Sequence, residues 1–192
     1  MAFFIIFSKV ILLYMKQILL LNLLLIFASC NKQKPIENNQ LNHFFSSHEL
    51  GQNNNQLRFY ITASFDECGE WGGHDEILEF FGKDNQVYLN YRKSKVDCNT
   101  ISKLYSKLEF HQWIKNDTIK LTNNHKKAIN TYLKTLIDSK LNERYIGHSG
   151  RTFSAFKTDS TFNIEVFNTD DYKINTRNFN QLLQSFKLDT VW

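Results

Sequence analysis

The chain lacks the short motifs that mark the common cofactor-binding and hydrolytic enzymes. Its 192 residues contain no glycine-rich phosphate loop, dinucleotide fingerprint or Gly-x-Ser-x-Gly elbow. They also lack an excess of one charge, since 23 basic residues stand against 19 acidic ones. A nucleic-acid-binding protein normally shows a basic surplus. The sequence therefore predicts no cofactor and no nucleic-acid partner, and it favours binding over catalysis.

The amino-terminal region carries an apolar run that is too short to cross a membrane. Ile18 to Phe27 fits the ~7 to 15 apolar residues of a secretion signal and falls short of the ~20 of a spanning helix. Lys16 gives the run a basic start, and two small residues, Ala28 and Ser29, precede Cys30. Met15 to Cys30 thus resembles the signal peptide of bacterial lipoproteins. An uncleaved helix through residues 1–29 is the alternative.

The resemblance implies that translation starts at Met15, that residues 1–29 are lost and that Cys30 carries the lipid. The mature chain would then have 163 residues, with 21 basic and 19 acidic side chains. Such a protein is held on a membrane of the Gram-negative cell envelope by its acyl chains. Because the polar residues after Cys30 lack an acidic cluster, we expect the periplasmic face of the outer membrane.

Export to an oxidising compartment changes how the remaining cysteines are interpreted. Cys68 and Cys98 are the two cysteines left after Cys30. In such a compartment a pair of this kind predicts a disulfide. Two free buried thiols or a metal site are the alternatives.

Residues 30–56 are rich in Asn, Gln, Ser and Lys and are interpreted as a lipidated cysteine with a flexible tether. Phe44, Phe45 and Leu50 interrupt this composition. They either dock on the domain as a short helical turn or belong to a loose segment. Residues 57–192 are interpreted as one globular domain.

The domain is predicted to belong to the α+β class, with an antiparallel sheet of about five to six strands and two or three helices packed on one face. Strict alternation from Leu57 to Phe65 indicates a half-buried strand. Two hairpins are predicted, Glu76–Phe81 with Gln86–Arg92 and Arg151–Phe156 with Thr161–Phe167. A further strand is expected near Thr118–Leu121, after an ambiguous segment, Asn99–Ile114, that is interpreted as a short helix or an irregular segment.

Two amphipathic helices complete the prediction. Asn123–Leu141 carries an apolar stripe behind the N-cap Thr122, and the members of that stripe are Ala128, Ile129, Tyr132, Leu133, Leu136, Ile137 and Leu141. A shorter closing helix behind Thr176 presents Phe179, Leu182, Leu183 and Phe186.

The densest group of reactive side chains lies in Asp66–Glu76, which connects the first two predicted strands. Five carboxylates, a histidine, a tryptophan and three glycines occur there. A carboxylate beside a histidine can move a proton near neutral pH, and glycines let the backbone approach a ligand. The candidate ligand-binding residues are Glu67, Glu70, Trp71, His74 and Asp75. The competing interpretation is a solvated turn that carries Cys68 to Cys98, with Trp71 covering the bridge.

Other combinations give weaker signals, and we predict neither a metal site nor a catalytic residue. A zinc site at Cys68, His74 and Cys98 has suitable ligand types but no known spacing. The Asp-x-Asp-x-Asp-Gly order of a calcium loop is absent. Gly147-His148-Ser149-Gly150 reverses the order of a nucleophile elbow, and Gly147 is typical of a helix C-cap. His43 and His48 lie on different helix faces.

The sequence favours a lipid-anchored envelope protein that works by binding a protein partner, as inhibitors and immunity proteins do. Two alternatives stay open. One is an envelope enzyme in which Glu70 and His74 act as acid and base, and the other is a structural scaffold of the envelope. A scaffold predicts an exposed apolar patch on the sheet, whereas a binder of small ligands predicts a concave pocket.

Overall fold

The computed structural model describes residues 44–51, 57–99, 112–143, 150–167 and 172–191. They form an α+β domain with one antiparallel sheet of six strands and two α-helices, as predicted. The strands are β1 Phe59–Ser64, β2 Asp75–Lys83, β3 Gln86–Ser94, β4 Trp113–Lys120, β5 Thr152–Lys157 and β6 Asn163–Val166. The helices are α1 Asn123–Leu141 and α2 Tyr172–Ser185. The order across the sheet is β4-β3-β2-β1-β5-β6.

The two predicted hairpins are confirmed, and each turns where the local sequence allows it. Asp84 and Asn85 join β2 to β3 with φ angles of 49° and 56°. Two successive left-handed residues make the tight turn that matches the twist of a hairpin. The β5–β6 connection places Ser160 at a φ of 62°. Each turn therefore uses a short polar residue at the position that most side chains avoid.

The core lies between the helices and the inner face of the sheet, which we define as the face that the helices cover. The alternation in β1 is confirmed, with every second residue buried. Phe179 of α2 contacts Phe65 and Phe153, and Phe186 contacts Phe80. Val87, Leu89 and Tyr91 of β3 are buried, as the pattern predicts.

The capping residue of α1 is also as predicted. The Thr122 hydroxyl accepts a hydrogen bond from the His125 amide at 3.2 Å, and the His125 ring accepts one from the Thr122 amide. Ile129, Tyr132, Leu133 and Leu136 of the stripe are buried. Its last members are not, since Ile137 is 38% exposed and Leu141 is 79% exposed. The helix extends beyond the described core.

Two predicted boundaries are wrong. The strand expected at Thr118–Leu121 is β4, which begins at Trp113; most of its residues are exposed, so burial imposes no alternation on its sequence. The closing helix begins at Tyr172, before Thr176. Thr176 is a buried helical residue whose hydroxyl accepts a hydrogen bond from Arg151.

The structure decides between the two alternatives that the sequence left open for Phe44, Phe45 and Leu50. Phe45 and Leu50 are completely buried, and the Gly82 amide donates to the Leu50 carbonyl at 2.7 Å. Residues 44–51 therefore belong to the core, which is the docked alternative. A side chain at Gly82 would collide with the backbone of Ser47, so the glycine makes this close approach feasible. Cys30, His43, the predicted helix after Asn99 and Gly147 to Ser149 lie outside the described residues.

Candidate functional site

The Asp66–Glu76 connection leaves β1 and closes on itself before β2 begins. The Phe65 amide donates to the His74 carbonyl at 3.0 Å, and the Cys68 amide donates to the Gly72 carbonyl at 2.8 Å. A 3-10 turn, Gly69–Trp71, forms the tip. A side chain at Gly73 would lie 2.6 Å from the Phe65 carbonyl oxygen and would also meet the Glu67 carboxylate. The glycine therefore lets Glu67 reach His74.

His74 lies between two carboxylates inside this loop and is only 7% exposed. Its Nδ1 contacts Glu67 Oε1, and its Nε2 lies 3.2 Å from Glu76 Oε1. The Glu67 carboxylate also accepts the His74 backbone amide at 3.1 Å. Carboxylate oxygens accept hydrogen bonds, so a ring held between two of them donates from both nitrogens as the imidazolium.

Glu76 is the deepest member of this network and is completely buried. The period of β2 places it on the inner face with Leu78 and Phe80. The Tyr91 hydroxyl donates to Glu76 Oε2 at 2.8 Å, and Lys93 Nζ lies 3.0 Å from Glu76 Oε1. A buried carboxylate without partners would cost several kcal/mol. Three hydrogen-bond donors, from His74, Tyr91 and Lys93, offset that cost here, and two of them carry a positive charge.

The environment shifts the pKa values of this network in opposite directions. Burial by itself lowers the pKa of His74, but the hydrogen bonds to Glu67 and Glu76 outweigh it and raise the pKa above its ordinary 6.5. Burial would raise the pKa of Glu67, yet the hydrogen bond from His74 holds it below 4.5. Burial, and then the charge of Glu76, raise the pKa of Tyr91. Glu67 and His74 thus hold each other in their charged forms.

We expect this pair to make stability depend on pH. His74 binds its proton more tightly when folded, so its contribution is complete below about pH 6.5 and is lost as the pH rises through the raised pKa. The free energy of unfolding should fall there by up to ~1.4 kcal/mol per pH unit. Urea unfolding between pH 6 and 9 measures this slope, and His74→Gln should lack it. An equal slope in both proteins would contradict the assignment.

An aromatic stack connects the network to the surface of the domain. The Phe65 ring lies 4.4 Å from the His74 ring at an angle of 7°. On Phe65, the Arg151 guanidinium lies 5.5 Å from the ring centroid. The loop is therefore packed as well as hydrogen-bonded, which restricts the orientation of the imidazole.

The predicted ligand-binding residues separate into three locations. Glu67 and His74 enter the buried network, whereas Glu70 and Trp71 lie on the exposed tip, where Trp71 is 53% exposed. Asp75 points to the opposite face of the sheet and accepts a hydrogen bond from Ser64 at 2.6 Å. Sequence reasoning missed Tyr91 and Lys93 as partners. The alternation of β3 indicates that both side chains lie on the inner face. Their alignment with Glu76 depends on the register between β2 and β3, which the sequence does not give.

Cys68 and Cys98 form a disulfide, with their Cα atoms 5.2 Å apart. The bridge joins the loop to the segment that follows β3 and encloses the β2–β3 hairpin. Within the described ranges, no three His, Cys, Asp or Glu side chains are grouped as metal ligands. The Lys93 ammonium group lies 3.0 Å from Glu76 Oε1, where a metal ion bound to this carboxylate would lie.

The outer face of the sheet, defined as the side opposite the helices, carries the second candidate site. Antiparallel sheets often leave one face in water, and that face is usually polar. Here half-buried aromatic rings stack in two cross-strand pairs. Tyr60 lies 5.1 Å from Phe156, and Phe81 lies 5.8 Å from Tyr88. No described element packs on these rings, because α1, α2 and residues 44–51 all lie on the inner face.

Charged groups lie between the aromatic pairs of the outer face. Glu79 accepts a hydrogen bond from the Tyr60 hydroxyl at 3.3 Å and lies 3.6 Å from Arg58 and 3.5 Å from Arg92. The Arg92 guanidinium lies 5.0 Å from the Trp113 ring. The Nε atom of Arg92 is buried without a hydrogen-bond partner. Aromatic, arginine and carboxylate groups therefore lie side by side on the outer face.

Comparison with known proteins gives no family for this chain. No family model matches it, and no curated protein matches it. In the described part of the chain, no helix has the length and apolar character needed to span a membrane.

Proposed function

We propose that this chain is a lipid-anchored envelope protein whose domain binds a protein partner through the outer face of the sheet, in the manner of an inhibitor or immunity protein. The observation that carries the proposal is the pairing of stacked aromatic rings with arginines on a face that no described element covers. Tyrosine, tryptophan and arginine are the residues that most often dominate binding energy at protein interfaces.

The shape of the outer face favours a protein over a small molecule. Six strands at ~4.8 Å spacing span about 24 Å, and strands of this length give an area on the order of 600 Å². A typical specific interface covers ~800 Å² on each partner. Small ligands are instead buried in concave pockets. An open sheet face of this size therefore suits a folded partner.

The arrangement gives less support to the two alternatives. An enzyme would need His74 to reach a substrate, but both of its ring nitrogens are engaged by Glu67 and Glu76, and Glu70 lies on the exposed tip. A scaffold predicts an apolar patch, whereas charged residues and Thr62, Ser154 and Asn90 separate the rings of the outer face. Because both ring nitrogens of His74 are engaged, we interpret its contacts with Glu67 and Glu76 as stabilising the folded loop.

Support for the anchor comes from the leader pattern that ends at Cys30. The disulfide agrees with an oxidising compartment. We propose attachment to the outer membrane with the domain on the periplasmic side.

Photo-crosslinking in intact cells tests the outer face. With a benzophenone amino acid in place of Tyr88, we expect an adduct of one defined mass, because this ring lies on the outer face. Arg92→Glu in the same chain should remove the adduct, since it reverses a charge beside the proposed contact. The control carries the benzophenone at Lys127, an exposed residue of α1. The same adduct from both positions, or none from Tyr88, would contradict the proposal.

A further inference from the structure

A recess lies on the helical side of the domain, away from the outer face. It is a groove of about 610 Å³ between α2 and the residue that precedes β5. Three of its seven lining residues are cationic, namely Arg151, Lys173 and Arg177. Asn180, Gln181 and Gln184 extend the lining along α2. None of the seven is acidic or apolar.

The spacing along α2 explains how these side chains meet. Lys173, Arg177, Gln181 and Gln184 recur at intervals of four, four and three residues, which places them on one stripe of a helix. The stripe thus presents positive charge first and amide groups after it.

Arg151 is held in place before any ligand arrives. Its Nε donates to Asp66 Oδ1 at 2.8 Å, and its Nη1 donates to the Thr176 hydroxyl at 3.0 Å. Its guanidinium also packs on Phe65. A guanidinium with fixed orientation loses little entropy when it binds an oxyanion.

We propose that this groove binds a phosphate-bearing ligand. Lys173 and Arg177, with Arg151 beside its ion pair to Asp66, would neutralise the phosphate, and the amides of Gln181 and Gln184 would bind the polar groups attached to it. Neither the outer face nor the proposed function is needed for this inference, because the two surfaces lie on opposite sides of the sheet. Both a soluble phosphoester and a phospholipid headgroup carry the required chemistry.

Calorimetric titration of the full chain in a non-ionic detergent tests the groove. Glycerol 3-phosphate should bind, and glycerol, which lacks the phosphate, should not. Arg177→Gln should weaken binding about tenfold or more, because a charge-assisted hydrogen bond is lost. The matched control is Lys127→Gln, which removes a charge from an exposed position of α1 and should leave the affinity unchanged. Gln181→Glu, which places a carboxylate in the groove, should abolish binding.

A short-chain phosphatidylglycerol distinguishes the two sources of phosphate. Binding at least about tenfold tighter than that of glycerol 3-phosphate identifies a lipid headgroup, and equal or weaker binding identifies a soluble phosphoester. Both results support the groove. Equal binding of glycerol and glycerol 3-phosphate, or affinities that Arg177→Gln and Gln181→Glu leave unchanged, would overturn the proposal. None of these substitutions touches the outer face, so the crosslinking result is independent.

Discussion

Phe45→Ala is expected to lower the free energy of unfolding by about 3–5 kcal/mol, the usual cost of removing a buried phenylalanine ring. Phe45 is completely buried and lies 5.9 Å from Phe59 and 6.2 Å from Phe80, ring centroid to ring centroid. Its loss would leave a cavity at the end of the core where β2 turns into β3. Urea denaturation of the parent and the variant measures the difference.

Phe167→Ala is the matched control for this experiment. Phe167 has the same side chain but is 41% exposed, so its removal should cost about 1–2 kcal/mol, clearly less than the removal of Phe45. If Phe45→Ala were as mild as the control, residues 44–51 would not contribute to the core, and the tether predicted from composition would be restored.

Loss of the disulfide is the second large effect that we expect. The bridge closes a loop with a sequence separation of 30. Restricting such a loop in the unfolded chain stabilises the folded state by about 3–4 kcal/mol. The double variant Cys68→Ser, Cys98→Ser should lose that amount in urea denaturation. Cys98 is exposed, so a reductant can reach the bridge.

Dithiothreitol supplies the control for the disulfide. The reductant should lower the free energy of unfolding of the parent by about as much as the double substitution does. It should leave the free energy of unfolding of the double variant unchanged. A parent protein whose urea midpoint is the same with and without the reductant would contradict the prediction.

Much of the fold could be predicted because local patterns and tertiary burial agree in its main elements. The alternation of β1, the polar turn of the β2–β3 hairpin and the Thr122 cap each follow from neighbouring residues. Burial imposed the apolar stripe of α1, so that helix was visible without any knowledge of its partners.

The parts that were missed depend on contacts between distant residues. Residues 44–51 lie in a stretch with the composition of a tether, and Phe45 and Leu50 dock on the core where Gly82 allows the close approach of Ser47. β4 acquires its extent from pairing with β3, since its own residues are mostly exposed. Thr176 lies inside α2, and its hydroxyl binds Arg151 and does not cap the helix.

The sequence located only part of the candidate site, because the remaining contacts also join distant residues. Clustering along the chain identified Glu67 and His74, which do meet. It could not show that Glu76 aligns with Lys93, because that pairing is set by strand register. The outer face was overlooked although Tyr60, Phe81, Tyr88 and Phe156 occupy outward positions of their strands. Aromatic residues at those positions were the available signal.

The position of residues 44–51 has a mechanical consequence. Phe44 contacts Phe59 and Phe162, at the end of the sheet where β2 turns into β3. In the proposed lipid-anchored protein, a pull along the chain would reach the described part of the domain at Phe44 and load the hydrogen bond between the Gly82 amide and the Leu50 carbonyl. The disulfide-bonded loop begins at the other end of β2, roughly 25 Å away. Tension would therefore peel the first phenylalanines from the core before it strained the cross-linked end.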